Sequence, residues 1–224
     1  HEPLIGKNLI DGCFKSAGLG QTSEVVSPAH GKLVGCYPRS DVDDVNHAVS
    51  AANKAFLSGC WSELSGAERA EILDRIGQQI AEHQEMLALQ ETLETGKPIS
   101  QARDEVSWSS GLWKYAASLA RNIRGESYNS LGADVMGLVL RQPLGVVSII
   151  TPWNFPLLIL SQTLPFALAA GCSAVVKPSE LTPGTSFILS QIAVDAGLPA
   201  GVFNLVMGYG DPVGARMTAH PDIK

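Results

Sequence analysis

The spacing of apolar positions changes along the chain. Residues 1–40 mix short apolar runs, such as Leu33-Val34-Gly35-Cys36-Tyr37, with Gly, Pro and Ser. That grammar predicts small antiparallel strands joined by turns. After Ser40 the spacing becomes helical, with Val42, Val45, Val49, Ala52 and Phe56 on one face. Ser65-Gly66-Ala67-Glu68 is a capping-box pattern, in which the Ser hydroxyl accepts from the Glu backbone N–H and the Glu side chain reaches back. Ile72, Ile76, Ile80 and Leu87 continue on one face, and Gly96-Lys97-Pro98 stops that helical region. Trp108, Leu112, Tyr115 and Leu119 form a third stripe, which ends before Gly125 and is expected to be core rather than a cofactor contact.

Residues 126–143 read as a β-hairpin, with Gly132-Ala133-Asp134 as the turn and Val135 to Leu140 as a strand. Little in the segment would bury it against itself, so it is expected to project and offer an edge to a partner. After Pro143 the pattern changes again. Gly145 to Ile150 is a continuous apolar strand, Ser173 to Val176 a second, buried strand, and Val202 to Val206 a third strand. Leu157 to Ala170 and Thr185 to Ala196 are the helices between them, the second closed by Gly197. Strand–helix–strand–helix–strand with short connections predicts a right-handed parallel sheet.

The fold class expected is therefore α/β: a parallel-sheet cofactor-binding domain preceded by a mainly helical N-terminal segment, with a projecting hairpin. Its divisions would be 1–125, 126–143 and 144–224, the last an incomplete first part of the sheet. Ligands in such sheets sit beyond the carboxyl ends of the strands. The loops there are Thr151–Pro156, Lys177–Pro183 and Gly208–Gly214.

Composition narrows the function. Sixteen Lys+Arg against twenty-two Asp+Glu give a net charge of −6 over 224 residues, and 45% of residues are hydrophobic. That is enough apolar matter for a sizeable core, and no basic run offers a nucleic acid its phosphate contacts. From Gln142 to Val176 there is no charged residue. Pro143, Pro152, Pro156 and Pro165 cut that stretch into pieces too short to span a membrane, so no membrane association is expected. Cys13, Cys36, Cys60 and Cys172 show no C-x-x-C spacing, and no His stands at a zinc-ligand spacing from them, so no metal site is expected. They read as scattered thiols of a reducing compartment. No basic-then-apolar leader stands at the start, and the expected location is the cytoplasm.

Each strand-end loop carries candidate chemistry. In Thr151-Pro152-Trp153-Asn154-Phe155-Pro156, two prolines make a rigid turn that fixes the direction of the Asn154 amide. Such an amide can stabilise developing negative charge, or simply bond its own turn. In Lys177-Pro178-Ser179-Glu180, an ammonium and a carboxylate three residues apart can grip a sugar diol and would repel a ribose 2′-phosphate; alternatively they form an exposed ion pair. Gly208-Tyr209-Gly210-Asp211-Pro212-Val213-Gly214 is G-x-G-x-x-x-G after a strand. It can cradle a pyrophosphate at the start of a helix, or be a plain turn.

Taken together these loops resemble the N-terminal part of the aldehyde dehydrogenase superfamily. The resemblance rests on Pro152-Trp153-Asn154-Phe155-Pro156, Ala169-Ala170-Gly171-Cys172, Val176-Lys177-Pro178-Ser179-Glu180, Gly197-Leu198-Pro199-Ala200-Gly201-Val202-Phe203-Asn204 and Glu94-Thr95-Gly96-Lys97-Pro98. It runs from about residue 8 to the end. It implies that Asn154 is the side-chain half of an oxyanion hole. Lys177 and Glu180 would hold the adenosine ribose hydroxyls of NAD, with Ser179 beside them. Ile150, Thr151, Pro152 and Trp153 would line the cofactor cleft, and Gly210 and Gly214 would lie under the adenine and pyrophosphate. Phe155 and Leu158 would face the substrate tunnel. NAD is the implied cofactor, with NADP as the alternative, and a small aldehyde is the implied substrate. The hairpin matches the family's oligomerisation element, so a homodimer or homotetramer is expected of the full-length protein.

The family nucleophile is a cysteine that captures the aldehyde as a thiohemiacetal, and a glutamate activates the water that releases the acid. None of the four cysteines here sits in that context, and Cys172 is expected in the core. The chain thus reads as the front part of an NAD-dependent aldehyde dehydrogenase, inactive by itself. The alternative is a catalytically silent binding or assembly protein of the same fold.

Overall fold

A computed structural model describes residues 2–224. Its N-terminal region forms β1 (Leu4–Ile5), β2 (Asn8–Ile10), β3 (Cys13–Lys15), β4 (Thr22–Val26) and β5 (Leu33–Pro38). The sequence predicts small antiparallel strands here, but the strands divide between two sheets. β4 pairs antiparallel with β5, and β1 joins the other edge of β5 in parallel. β2 and β3 form a hairpin closed by Asp11 and Gly12, both at positive φ (53° and 73°). An Asp-Gly pair suits such a two-residue turn, because its twist matches that of the flanking strands.

Four helices follow. α1 (Val42–Leu57) is capped by Asp41, whose side chain accepts from the Asp43 and Asp44 backbone N–H groups. α2 (Gly66–Glu82) begins with the expected capping box: Glu68 N–H donates to Ser65 Oγ at 3.2 Å, and Ser65 N–H donates to Glu68 Oε2 at 2.8 Å. The helical region between Ser65 and Gly96 is not continuous. It breaks at His83, and α3 (Gln84–Thr95) starts anew, ending at Gly96 with φ 77°.

α4 (Ile99–Ala120) overturns the expected core stripe. Trp108 is 60% exposed and Tyr115 57%, and Leu119 also faces out. The buried face is instead Ala102, Glu105, Val106, Ser109, Ser110, Trp113, Ala116, Ala117 and Ala120. Its small residues let α4 lie close against α2, where Ser110 Oγ donates to Gly77 O at 2.7 Å.

The hairpin pairs β6 (Glu126–Tyr128) with β7 (Gly137–Val139) as a sheet of its own. Leu131, Met136, Leu138 and Leu140 are exposed along it. β7 is shorter than the expected strand from Val135 to Leu140. Beyond Pro143 come β8 (Val146–Ile150), α5 (Pro156–Ser161), α6 (Leu164–Ala169), β9 (Ser173–Lys177), α7 (Gly184–Asp195) and β10 (Phe203–Leu205). The helix expected over Leu157–Ala170 is thus two, because Pro165 has no N–H to continue the first ladder. A wide turn at Gly210–Gly214 leads into α8 (Ala215–Thr218), a single helical turn.

β8, β9 and β10 are parallel, as expected, with Val146 opposite Ser173 and Phe203 opposite Ala174. The full order is β3-β2-β10-β9-β8, since β2 adds antiparallel to β10 through Leu9 and Leu205. On the far edge Ile223 bridges Val146 in parallel. All five residues of β9 are buried, as a central parallel strand covered on both faces requires. Trp61 and Trp113 are fully buried, and each spends its indole N–H well: on Leu168 O at 2.9 Å and on Ser161 Oγ at 3.2 Å. Cys172 is buried, as expected. Among the described residues no helix is long and apolar enough to cross a membrane.

Candidate cofactor and catalytic site

The parallel register brings the strand-end loops together. Thr151 N–H donates to Lys177 O at 3.1 Å, so the first loop leaves β8 beside the end of β9. Thr182 Oγ1 donates to Trp153 O at 3.3 Å, a second tie between these loops. Lys177 Nζ reaches across to the third loop and donates to Gly208 O at 2.8 Å. Side-chain and backbone bonds thus fasten the loops to one another as well as to their strands.

In the first loop Pro152, Trp153 and Asn154 are exposed, Phe155 is half-buried and Pro156 opens α5. The Asn154 backbone carbonyl accepts from Lys97 Nζ at 2.9 Å. Among the described residues the Asn154 side-chain amide bonds nothing, so the bond that a turn Asn makes to its own backbone is not formed. Ile150 is 45% exposed at the end of β8, whereas Thr151 is buried and its hydroxyl has no partner among the described residues. Leu158 is buried on α5.

Lys177 is buried, yet its ammonium is well supplied. It donates to Pro178 O and Gly208 O, both at 2.8 Å, and lies 3.6 Å from Glu180 Oε2. Burial lowers the Lys177 pKa, and the Glu180 carboxylate opposes that shift. An ammonium has three donors, so two carbonyls leave one for a further acceptor. The Glu180 side chain is 34% exposed and can accept from a ligand. Ser179, half-buried, turns the chain between them, and Leu181 N–H donates to its Oγ at 3.3 Å.

A Cβ on Gly210 would meet nothing within 4 Å, and one on Gly214 would stand 3.6 Å from Lys177 Cε and 3.9 Å from Ile150 Cδ1. The third loop therefore closes over the same ammonium and leaves room above it. A cavity of about 450 Å³ adjoins the first two loops, its lining including Trp153, Glu180, Leu181 and Thr182 together with Val25, Val26, Glu94 and Thr95.

Sequence reasoning named Lys97 only as part of a motif and gave Glu91 and Glu105 no role. Lys97 Nζ bonds Glu91 Oε1 at 2.8 Å and makes a short contact to Glu105 Oε2, and both carboxyls are fully buried. The same ammonium stands 4.7 Å from the centre of the Phe155 ring. Glu91 and Glu105 sit fourteen positions apart on different helices, so no local spacing brings them together. Burial, and the neighbouring Glu105, raise the Glu91 pKa. A further buried acid, Glu94, accepts from Tyr37 Oη at 2.5 Å, Gln90 Nε2 at 3.0 Å and Gly184 N–H at 3.0 Å.

A model of the aldehyde dehydrogenase family matches residues 14–224, and the chain belongs to that family. Among solved structures it is similar to an NAD-dependent aldehyde dehydrogenase from Sinorhizobium meliloti, with 48% identity and a TM-score of 0.98 over 99% of this chain and 44% of that one. It is similar also to betaine aldehyde dehydrogenase from Staphylococcus aureus in complex with NAD+, with 34% identity and a TM-score of 0.96 over 98% of this chain and 44% of that one. Succinate-semialdehyde dehydrogenase [NADP(+)] of Escherichia coli is 38% identical over 216 residues, which are 96% of this chain and 44% of that protein. The chain thus spans under half the length of these relatives.

Proposed function

We propose that this chain is the cofactor-binding front part of an NAD-dependent aldehyde dehydrogenase, a protein that oxidises an aldehyde to a carboxylic acid. The observation that carries the reading is the fastening of the loops Thr151–Pro156, Lys177–Pro183 and Gly208–Gly214 to one another at the carboxyl ends of parallel strands, through Thr151 and Lys177, Trp153 and Thr182, and Lys177 and Gly208. The donor set suits NAD. Lys177 keeps a donor and Glu180 an acceptor for neighbouring ribose hydroxyls, and open space over Gly210 admits a pyrophosphate close to backbone. NAD, when bound, supplies the hydride acceptor.

The chain's own residues bind and orient. Lys177 and Glu180 hold the ribose, with Ser179 shaping their turn. Ile150, Thr151, Pro152 and Trp153 form the wall of the cleft, and Gly210 and Gly214 its floor. Phe155 and Leu158 face the aldehyde. The free Asn154 amide donates a hydrogen bond to the aldehyde oxygen as that oxygen gains negative charge. No cysteine of this chain is assigned as nucleophile. Cys172 immediately precedes β9, at the end opposite the loops, about 16 Å away at roughly 3.3 Å per strand residue.

The test is aldehyde-dependent NADH formation by the full-length protein, with a panel of small aldehydes. Turnover that requires both an aldehyde and NAD supports the reading. Tight NAD binding with no turnover on any aldehyde would point to the silent binding protein instead.

A further inference from the structure

The Asn154 turn has a conformational freedom that its prolines do not remove. Pro152 and Pro156 fix their own φ and restrict the residue before each, which covers Pro152, Thr151, Phe155 and Pro156. The ψ angle of Asn154, which sets the plane of the 154–155 peptide, is left to other contacts. The Asn154 carbonyl lies in that plane, and it is where Lys97 Nζ bonds.

We propose that Lys97, clamped between Glu91 and Glu105, is a positioning residue that fixes the Asn154 turn for catalysis. The proposal rests on the reading of Asn154 as the oxyanion donor. The geometry of the ammonium carries it. Three protons have three oxygens: Glu91 Oε1, Glu105 Oε2 and Asn154 O. The first two oxygens belong to α3 and α4, helices packed side by side in the core. The third belongs to the loop. A tetrahedral group with every donor committed transmits the rigidity of the helix pair to the peptide that bears the catalytic amide. The Phe155 ring against the same ammonium restrains the other side of that peptide.

The charge state suits a permanent clamp. Two buried carboxylates against one ammonium would leave a net negative charge away from water, which is costly. Burial and the adjacent Glu105 push the Glu91 carboxyl well above its ordinary range, so that it holds its proton and the cluster is neutral. The Lys97 side chain is only 8% exposed, so solvent competes little for its protons.

The test uses the full-length protein. Lys97→Met alone strands two buried acids, so the informative variant is Lys97→Met with Glu105→Gln, which keeps the cluster uncharged while removing the bond to Asn154 O. The expected result is a fall of about 10–10²-fold in kcat, the size of effect that a small misplacement of a reacting group produces. NAD affinity and aldehyde KM should stay close to those of the unmodified protein. Added to Asn154→Ala, the pair should cost little more, because the group it positions is already gone.

A double variant with near-normal kcat overturns the proposal. So does a loss that persists in full on the Asn154→Ala background, since the cluster would then be acting elsewhere. A variant that does not fold overturns it as well, because the cluster would be holding the helices rather than the turn. If Asn154→Ala itself leaves kcat near normal, the oxyanion reading fails first. If Asn154→Ala lowers kcat and the Lys97 variant does not, the positioning role alone fails.

Discussion

Asn154 is exposed in a turn whose backbone is held by proline and by Lys97, and its amide has no partner among the described residues. A donor so placed is available for charge that exists mainly in the transition state. Asn154→Ala in the full-length protein should therefore lower kcat by about 10²–10³-fold with little change in NAD affinity. Parallel loss of NAD affinity, melting temperature and kcat would instead mean that the residue only shapes the turn. Glu180 makes a second prediction at this scale. Its carboxylate, 3.6 Å from Lys177 Nζ and partly exposed, should accept from a ribose diol and repel a 2′-phosphate of roughly −2 charge. The protein should thus favour NAD over NADP in kcat/KM, and Glu180→Gln should narrow the ratio. An unmodified protein that uses both equally well would show that Glu180 does not discriminate.

Among the elements, the contact between α3 and the start of α7 depends on a buried acid. Burial pushes the Glu94 pKa up to about 7 from the ordinary 4.5, outweighing the bonds from Tyr37, Gly184 and Gln90 that lower it. Between those values the native protein holds a proton that the unfolded chain has released. Stability is therefore greatest below pH 4.5 as far as this group is concerned, and falls as pH rises through that window. The full effect is roughly 3 kcal/mol. Glu94→Gln should flatten the decline in melting temperature between about pH 5 and pH 8. An unchanged slope would assign the decline to another group, Glu91 being the next candidate. This acid illustrates which features the sequence hides. The parallel strands, the capping box at Ser65 and the strand-end loops were legible because each is written in adjacent residues. The inward face of α4 was not, because apart from Val106 and Trp113 its apolar positions are small Ala residues set among Ser, while Trp108, Tyr115 and Leu119 point outward. The pairing of β2 with β10 joins residues almost two hundred positions apart, so no period along the chain records it. The same holds for Lys97 and Asn154, which lie in different motifs and meet only in the fold.

At the scale of the molecule, large apolar side chains lie open on two surfaces. One is the helical region, with Met86 and Leu89 on α3 and Trp108 and Tyr115 on α4, and the other is the hairpin with Leu131, Met136, Leu138 and Leu140. Exposed apolar surface of this extent is a contact surface or an aggregation liability. Residues 1–224 expressed by themselves should bind an apolar fluorescent dye and self-associate as concentration rises, and light scattering will show whether they do. They should also fail to oxidise aldehydes. Capture of the substrate carbon needs a thiolate beside the Asn154 amide. Cys172 is buried at the far end of β9, and Cys13 lies on β3 at the outer edge of the sheet. Cys60 follows α1 near the Ala55 carbonyl, and Cys36 belongs to the smaller sheet. Without a thiol at the loops, Lys177, Glu180 and Asn154 in their proposed roles would have no covalent intermediate to act on. A preparation shown by intact mass to end at Lys224 should give no aldehyde-dependent NADH. Turnover by such a preparation would mean that one of these four cysteines, or chemistry without a thiol, does the work, and replacing each cysteine by serine would tell which.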